Sequence, residues 1–282
     1  METNPHELIR ASVAYREGTG LRIALNELSV SLNPGEFLAL VGQNGSGKST
    51  LLQVLARMLP LSRGELRVGW LEGSRVGIVL QNPEVQLLGE TLVEDLTFSL
   101  EQAGCPRESH AERIRSITER VGLRGLEKKP LRSLSSGQQQ LAAVAGSLAL
   151  DAKLLLFDEV TSHLDSTEAE RIFALAQSLS REGHAIVWST QVAEEAARAD
   201  RLLALASGVK LYEGTPEGFY YGWDGASAPV EQAGVSMPYA VQLARALMNQ
   251  GVRLSASPLT VEELAACLTD QGMEQLQEEG NA

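Results

Sequence analysis

Hydrophobic and polar positions alternate through the first part of the chain. Within residues 6–32 the segments LIRASVAY and LRIALNELSVSL carry this pattern and flank the polar sequence REGTG. A period of two is typical of strands with one buried face, so these segments predict two strands joined by a turn. The apolar sequence EFLALV, which follows Pro34 and Gly35, predicts a buried strand, and ELRVG and RVGIVL predict two more.

The spacing of apolar positions changes between residues 82 and 146. In TLVEDLTFSLEQAG and ESHAERIRSITERVGL it is helical, and prolines separate the segments, so a helical insert is predicted. Strand patterns return in AKLLLFDE, HAIVWST and RLLALASG, and residues 166–181 predict a helix. This alternation predicts an α/β fold, with a mainly parallel sheet covered by helices and an antiparallel β region at the N-terminus.

The predicted domain organisation has a boundary near residue 214. Residues 1–214 are interpreted as one domain that contains the insert at 82–146, and residues 215–282 as a small C-terminal extension. In the extension, SMPYAVQLARALMNQG and TVEELAACLTD predict two helices, and QEEGNA predicts a frayed end.

Composition restricts the classes of function. The formal net charge of −12 over 282 residues argues against a nucleic-acid footprint, which needs clustered Lys and Arg. No apolar run approaches the ~18 to 20 residues of a membrane span. The sequence METNPHELIR lacks the features of a secretory signal, so we expect a cytoplasmic location. Cys105 and Cys267 lack metal-ligand or redox spacing and are interpreted as ordinary thiols.

The sequence GQNGSGKST, residues 42–50, has the pattern of a phosphate-binding loop. It lies between a predicted strand and a predicted helix, which is the context that such a loop requires. Gly42, Gly45 and Gly47 allow successive N–H groups to point into one concavity. Lys48 can then reach the terminal phosphates, and the Ser49 hydroxyl can bind Mg²⁺. The alternative is a glycine-rich turn with a chance lysine.

Two adjacent carboxylates end the apolar strand LLLFDE. Downstream of a phosphate loop, Asp158 is predicted to hold Mg²⁺, and Glu159 to orient or deprotonate an attacking water. The alternative is a polar strand end exposed to solvent.

The pentapeptide LSSGQ, residues 134–138, precedes the apolar run LAAVAGSLAL and is therefore placed at a helix N-terminus. Alone it is a capping sequence. Together with Tyr15, the phosphate loop, Gln81, FDE and the sequence SHLD, its order and spacing resemble the ATP-binding subunits of ABC transporters. The resemblance covers residues from about 7 to 214.

The resemblance implies a role for each matching residue. Tyr15 corresponds to the aromatic residue that stacks on adenine, Gln81 to the glutamine that senses the γ-phosphate and Mg²⁺, and Asp165 to an aspartate that communicates across a dimer. From the residues alone, Tyr15 could also be a half-buried strand aromatic, and Gln81 a polar strand end, which the QNP sequence disfavours. The signature LSSGQ would complete the ATP site of a partner subunit, so ATP would hold two subunits together.

The resemblance thus implies three sets of site residues. The ATP-binding set is Tyr15, Gly42, Gln43, Asn44, Gly45, Ser46, Gly47, Lys48, Ser49, Thr50 and Gln81. The Mg²⁺ set is Ser49, Gln81 and Asp158, and the signature set is Leu134, Ser135, Ser136, Gly137 and Gln138.

The chain departs from the family pattern in three places. Gln191 stands where a histidine usually contacts the γ-phosphate, and glutamine cannot carry the charge of an imidazolium. Ser136 replaces a usual glycine and could either crowd the partner's phosphate or donate to it. LAAVAG lacks an arginine that is common there. We therefore hypothesise a site, with Glu159 and Gln191 as its catalytic residues, that binds ATP well and hydrolyses it slowly within an asymmetric pair.

QNPEVQLLGETLVEDLTFSL and the C-terminal extension resemble the ATPases of energy-coupling-factor and cobalt or nickel importers. This implies a peripheral subunit on the cytoplasmic membrane face that powers vitamin or metal uptake. Its partners would be a second ATPase, preferably a paralogue, contacted in part through the extension, together with a transmembrane coupling subunit and a substrate-binding membrane subunit. One alternative is a regulatory ATP clamp. The other is a soluble DNA-maintenance ATPase, which the short insert disfavours.

Overall fold

The computed structural model describes residues 4–18, 20–222 and 227–269. The predicted frayed end QEEGNA lies outside these residues. At the N-terminal side, the alternating segments form the antiparallel strands β1 (His6–Glu17) and β2 (Gly20–Leu32). The strand β4 (Arg63–Arg67) pairs antiparallel with the other edge of β1, which gives a three-stranded sheet in the order β2-β1-β4.

The second sheet has six strands: β3 (Phe37–Val41), β5 (Arg75–Val79), β6 (Ala152–Asp158), β7 (Ala185–Ser189), β8 (Arg201–Ala206) and β9 (Val209–Gly214). Their order in the sheet is β5-β6-β7-β3-β8-β9. All neighbouring pairs are parallel except β8 and β9, which are antiparallel. The predicted α/β fold class is therefore confirmed.

The strand β9 is absent from the sequence prediction, which placed a strand only in RLLALASG. Ser207 and Gly208 both have positive φ, at 48° and 80°, and turn the chain back so that β9 pairs with β8. A Ser-Gly pair after a strand is a turn signal that favours a hairpin. The short sequence VKLYEG has little apolar alternation of its own, so its strand conformation depends on this pairing.

The helices α1 (Lys48–Leu55), α5 (Ser166–Arg181) and α6 (Ala193–Ala197) pack around the sheet. The bounds of α5 match the prediction. The helical insert contains α2 (Leu92–Gln102), α3 (His110–Arg120) and α4 (Ser136–Ala149). Helix α4 continues three residues beyond the predicted end of the insert, because its Ala-rich C-terminal half is buried against β5 and β6.

The C-terminal extension forms α7 (Pro216–Tyr221), α8 (Pro229–Ala233), α9 (Tyr239–Asn249) and a helix over residues 261–269. The Tyr220 hydroxyl donates to the Ala193 carbonyl at 3.2 Å, and the Gln43 side chain donates to the Gly234 carbonyl at 3.3 Å. The extension thus contacts both α6 and the loop that precedes α1. Across the parts of the chain that the structure describes, no helix combines the length and apolarity of a membrane span.

Four large aromatic residues connect β3, β6 and β7 to α5. Trp188 is fully buried, and its ring centroid lies 4.8 Å from that of Phe157 and 5.2 Å from that of Phe173. Phe37, at the start of β3, completes the cluster. Aromatic pairs at these separations contribute beyond the area they bury. The cluster holds β3, β6 and β7 in a fixed order beneath the residues that follow them.

Candidate active site

The loop over residues 42–50 connects β3 to α1 and curves around a cavity. Gly42 and Gly47 have φ values of 150° and 106°, which favour glycine. A Cβ atom on Gly47 would lie 2.6 Å from the Ala24 carbonyl oxygen, and one on Gly42 would overlap the carbonyl oxygen of Leu205. The glycines are therefore required by close backbone contacts. The loop leads into the N-terminus of α1, where free N–H groups and the helix dipole favour a bound anion.

Lys48 lies folded back along this loop. Its side chain is only 5% exposed, and its Nζ atom donates to the carbonyl oxygens of Gly42 at 2.8 Å and Gln43 at 3.2 Å. The same Nζ atom lies 3.1 Å from Glu159 Oε1. A buried ammonium group needs such compensation. The contact joins the phosphate loop to the end of β6.

Gln191 forms the third member of this contact. Its Nε2 atom donates to Glu159 Oε2 at 2.8 Å and to Asn44 Oδ1 at 2.9 Å. Glu159 itself has φ of 48°, and its backbone N–H donates to the Ser189 carbonyl at 3.1 Å. Residues following β3, β6 and β7 therefore meet at one edge of the sheet. Side chains at the carboxyl ends of parallel strands form the ligand sites of such folds.

Asp158 lies beside this group at the end of β6. Burial raises the pKa of its carboxyl above the usual value, while a hydrogen bond with Ser49 and the charge of Lys48 oppose that shift. The neighbouring Glu159 charge raises the pKa further, and the nearby Ser189 hydroxyl opposes the shift. A cation bound between Asp158 and Ser49 would offset the cost of the buried negative charge.

The donor set of Asp158 and Ser49 fits magnesium. Among the described residues, no group of three or more His, Cys, Asp or Glu side chains is arranged for a metal ion. Mg²⁺ prefers one or two protein oxygen ligands together with water and substrate phosphate oxygens, which agrees with one carboxylate and one hydroxyl beside a phosphate loop.

Tyr15 borders the open side of the cavity. Its side chain is 38% exposed, and its hydroxyl lies 3.4 Å from Thr50 Oγ1. The cavity is also lined by Arg22, which the sequence analysis did not identify. Tyr15 and Arg22 are cross-strand neighbours in the β1–β2 hairpin. The signal that could have found Arg22 was this pairing, because residues facing each other across a short hairpin share one surface.

Gln81 is exposed two residues after β5 and belongs to a neighbouring group. Its Nε2 atom donates to Ser162 Oγ at 3.1 Å and lies 3.1 Å from His163 Nε2. In this structure its amide therefore contacts the loop before α5 and is not hydrogen-bonded to Ser49 or Asp158. The Ser162 hydroxyl in turn donates to the Glu159 carbonyl at 2.8 Å, which connects this loop to the end of β6.

The LSSGQ segment forms the start of α4. Ser135 is its N-cap: Ser135 Oγ accepts from Gln138 N at 3.2 Å, and Gln138 Oε1 accepts from Ser135 N at 3.1 Å. Leu134 and Gly137 are buried, whereas Ser135 and Ser136 are exposed. The two serines therefore present their hydroxyls at the surface. Asp165 caps the next helix, α5, by accepting from the N–H groups of Thr167 and Glu168 at 2.9 Å each.

The family profile described as "ABC transporter" matches residues 25–162. Two solved structures share the fold. CbiO1 of Clostridium perfringens, part of the ABC transporter complex CbiONQ, is 28% identical, with a TM-score of 0.67 over 77% of this chain and 90% of that chain. A dimeric ATP-binding cassette in a post-hydrolysis state, bound to ADP and Pi, is 25% identical, with a TM-score of 0.68 over 76% of this chain and 99% of that chain. Fold, phosphate loop and matching profile define an ABC-type ATPase that binds nucleotide.

Relatives that match most of the chain identify its group within the ABC-type ATPases. The Geobacillus kaustophilus energy-coupling factor transporter ATP-binding protein EcfA1 is 37% identical over 262 residues, which cover 89% of this chain and 92% of the relative. This chain belongs to the energy-coupling factor transporter ATP-binding proteins, and the resemblance found in the sequence is confirmed. The residue assignments stay predictions that the geometry above makes testable.

Proposed function

We propose that this chain is the ATP-binding and hydrolysing subunit of an energy-coupling-factor importer, with one ATP and one Mg²⁺ bound at the loop over residues 42–50. One observation carries the proposal: Lys48, Glu159 and Gln191 are in direct contact at the edge of that loop. A lysine that can bind phosphate, a carboxylate that can accept a proton and an amide that can orient either one are the groups that phosphoanhydride hydrolysis needs.

The Lys48–Glu159 ion pair suggests how binding prepares the chemistry. A triphosphate in the loop competes with Glu159 for the Lys48 ammonium, because phosphate oxygens carry the greater charge. Once Lys48 contacts phosphate, the Glu159 carboxylate is free to accept a proton from an attacking water. Asp158 and Ser49 would hold the Mg²⁺, which neutralises charge on the phosphates. The exposed Ser135 and Ser136 would meet the phosphates of a second subunit.

We infer that the second subunit is a paralogue. The related dimeric cassette supports pairing between two such ATPases. Gln191 and Ser136 depart from the family pattern in this chain, and a partner that keeps the usual residues would carry the faster site. By its family, the complex would lie on the cytoplasmic face of the membrane and import a vitamin or a transition metal.

Gln191→His tests whether glutamine, in place of the family's usual histidine, weakens hydrolysis at this site. An imidazolium adds positive charge near the γ-phosphate, so we expect single-turnover hydrolysis at this site to rise about tenfold. The rate should also acquire a pH dependence near the ordinary histidine pKa of about 6.5. Gln191→Ala, which removes both hydrogen bonds, is the control and should lower the rate. A Gln191→His rate equal to that of the unmodified chain would contradict the hypothesis of a weakened site.

A groove beside the helical insert is the proposed docking site for the transmembrane coupling subunit. Its apolar lining includes Val76, Ile78, Leu87, Leu88, Phe98 and Ala143, and polar residues such as Asp95 and Gln102 lie beside them. Leu88 and Phe98 are 70% and 45% exposed, although both are large and apolar. Exposed apolar side chains gathered around a concave surface are typical of protein interfaces.

The docking site is tested by placing a charge in the groove. Phe98→Glu would bury a carboxylate in an apolar contact, so we expect recovery of the membrane subunits with the tagged chain to fall at least about tenfold. Met58→Glu is the matched control, because Met58 is 63% exposed and does not line the groove. Equal recovery with both variants would place the interface elsewhere.

A further inference from the structure

We propose that the Glu168 carboxylate occupies the tip of α4 and that the partner subunit's ATP must displace it before the two subunits close. The proposal rests on the pairing set out under Proposed function. It assigns to Glu168 the role of a gate that sets the ATP concentration needed for closure.

The contacts place the carboxylate directly on the signature residues. Ser135 Oγ donates to Glu168 Oε1 at 2.9 Å. A Cβ atom on Gly137 would lie 2.5 Å from Glu168 Cδ and 2.7 Å and 2.8 Å from its two oxygens. The carboxylate thus rests against the first turn of α4, beside Gly137 and in contact with Ser135, one of the two serines that would meet phosphate. An anion at this position is stabilised by the free N–H groups and dipole of the helix.

The backbone around Glu168 fixes where this carboxylate can go. Glu168 lies in the first turn of α5, and its N–H donates to the Asp165 carboxylate, which caps that helix. Because Asp165 holds the start of α5, the Glu168 side chain reaches α4 from a fixed base. The effective concentration of the Glu168 carboxylate at the tip of α4 is therefore high. A phosphate arriving from the partner meets an occupied site and a repelling negative charge.

The proposed gate acts on one of the two ATP sites, the one held by the partner subunit. Glu168 covers the signature tip of its own chain, and that tip serves the ATP held by the partner's phosphate loop. Removing the charge should therefore change closure over the partner's ATP, whereas Gln191 acts at the chain's own phosphate loop. After the phosphate leaves, return of the carboxylate to Ser135 would favour separation of the subunits.

The test uses the complete complex purified through a tag on this chain. Glu168→Gln keeps a hydrogen-bond acceptor for Ser135 and removes the charge. We expect the ATP concentration for half-maximal hydrolysis, and for half-maximal closure of the two ATPases measured by fluorescence transfer, to fall about threefold to tenfold. Glu168→Ala should act in the same direction. Glu170→Gln is the matched control on the same helix, because the Glu170 carboxylate accepts both of its hydrogen bonds at 2.8 Å and 3.0 Å from Arg198.

Each outcome has one interpretation. If the unmodified complex neither hydrolyses ATP nor closes with it, the proposed function fails. If the unmodified complex does both and the Glu168→Gln complex needs the same or a higher ATP concentration, the gate is overturned. A purely structural role of Glu168 would change thermal stability without changing the ATP requirement. If Glu170→Gln lowers the ATP requirement as much as Glu168→Gln, the effect is one of general charge and the assignment to Glu168 is wrong.

Discussion

Glu159→Gln is expected to lower single-turnover ATP hydrolysis at this chain's phosphate loop by about 10²- to 10⁴-fold while ATP remains bound. The amide has nearly the same shape as the carboxylate but cannot accept a proton from water. The substitution also removes the ion pair with Lys48, which is 3.1 Å long. Lys48 is then free to bind phosphate, so the Kd for ATP should stay equal or fall.

The measurement combines rapid-quench hydrolysis with equilibrium binding of ATP in the purified complex. Glu112→Gln is the control, because Glu112 is an exposed residue of α3 in the helical insert. If Glu159→Gln keeps more than about a tenth of the rate at this site, Glu159 is not the general base. If it loses ATP binding instead, its main role is to hold Lys48.

Gly47→Ala is expected to abolish detectable ATP binding and to lower the free energy of unfolding by about 3 kcal/mol or more. The added Cβ would lie 2.6 Å from the Ala24 carbonyl oxygen and 2.9 Å from Leu25 Cδ2, and both atoms belong to β2. Since Gly47 immediately precedes α1, any shift that relieves the overlap moves the N–H groups that would face the phosphates.

Gly183→Ala separates this overlap from the cost of backbone strain. Gly183 has φ of 98°, close to the 106° of Gly47, but a Cβ there meets no atom within 4 Å. The free energy of unfolding of this variant should fall by only about 1 to 2 kcal/mol, and ATP binding should remain. Chemical denaturation and calorimetric titration of both variants provide the comparison. Equal losses in the two variants would show that strain alone explains the glycine at position 47.

Much of the fold was accessible from the sequence because its signals are local. Buried strands such as FLALV and the periodic helix Ser166–Arg181 are specified by their own residues. The phosphate loop is equally local, since its glycines, lysine and serine are adjacent in the chain. The strand β9 was missed because it depends on a turn at Ser207 and on pairing with β8.

The missed parts of the site depend on contacts between distant segments. Arg22 enters the cavity through its pairing with Tyr15, and Glu168 reaches Ser135 across 33 positions of sequence. Neither residue belongs to a recognisable motif, and each would be an ordinary polar position on a strand or helix. Their placement follows from how the hairpin and α5 pack, which hydrophobic periodicity does not specify.

The hydrogen bond between Gln43 and Gly234 joins the nucleotide loop to the last third of the polypeptide. Gly234 has φ of 61°, and a side chain at that position would overlap the Gln43 amide. The two segments are therefore in close contact. The loop over residues 42–50 and the C-terminal extension are therefore joined at a point that leaves no space for a side chain at residue 234.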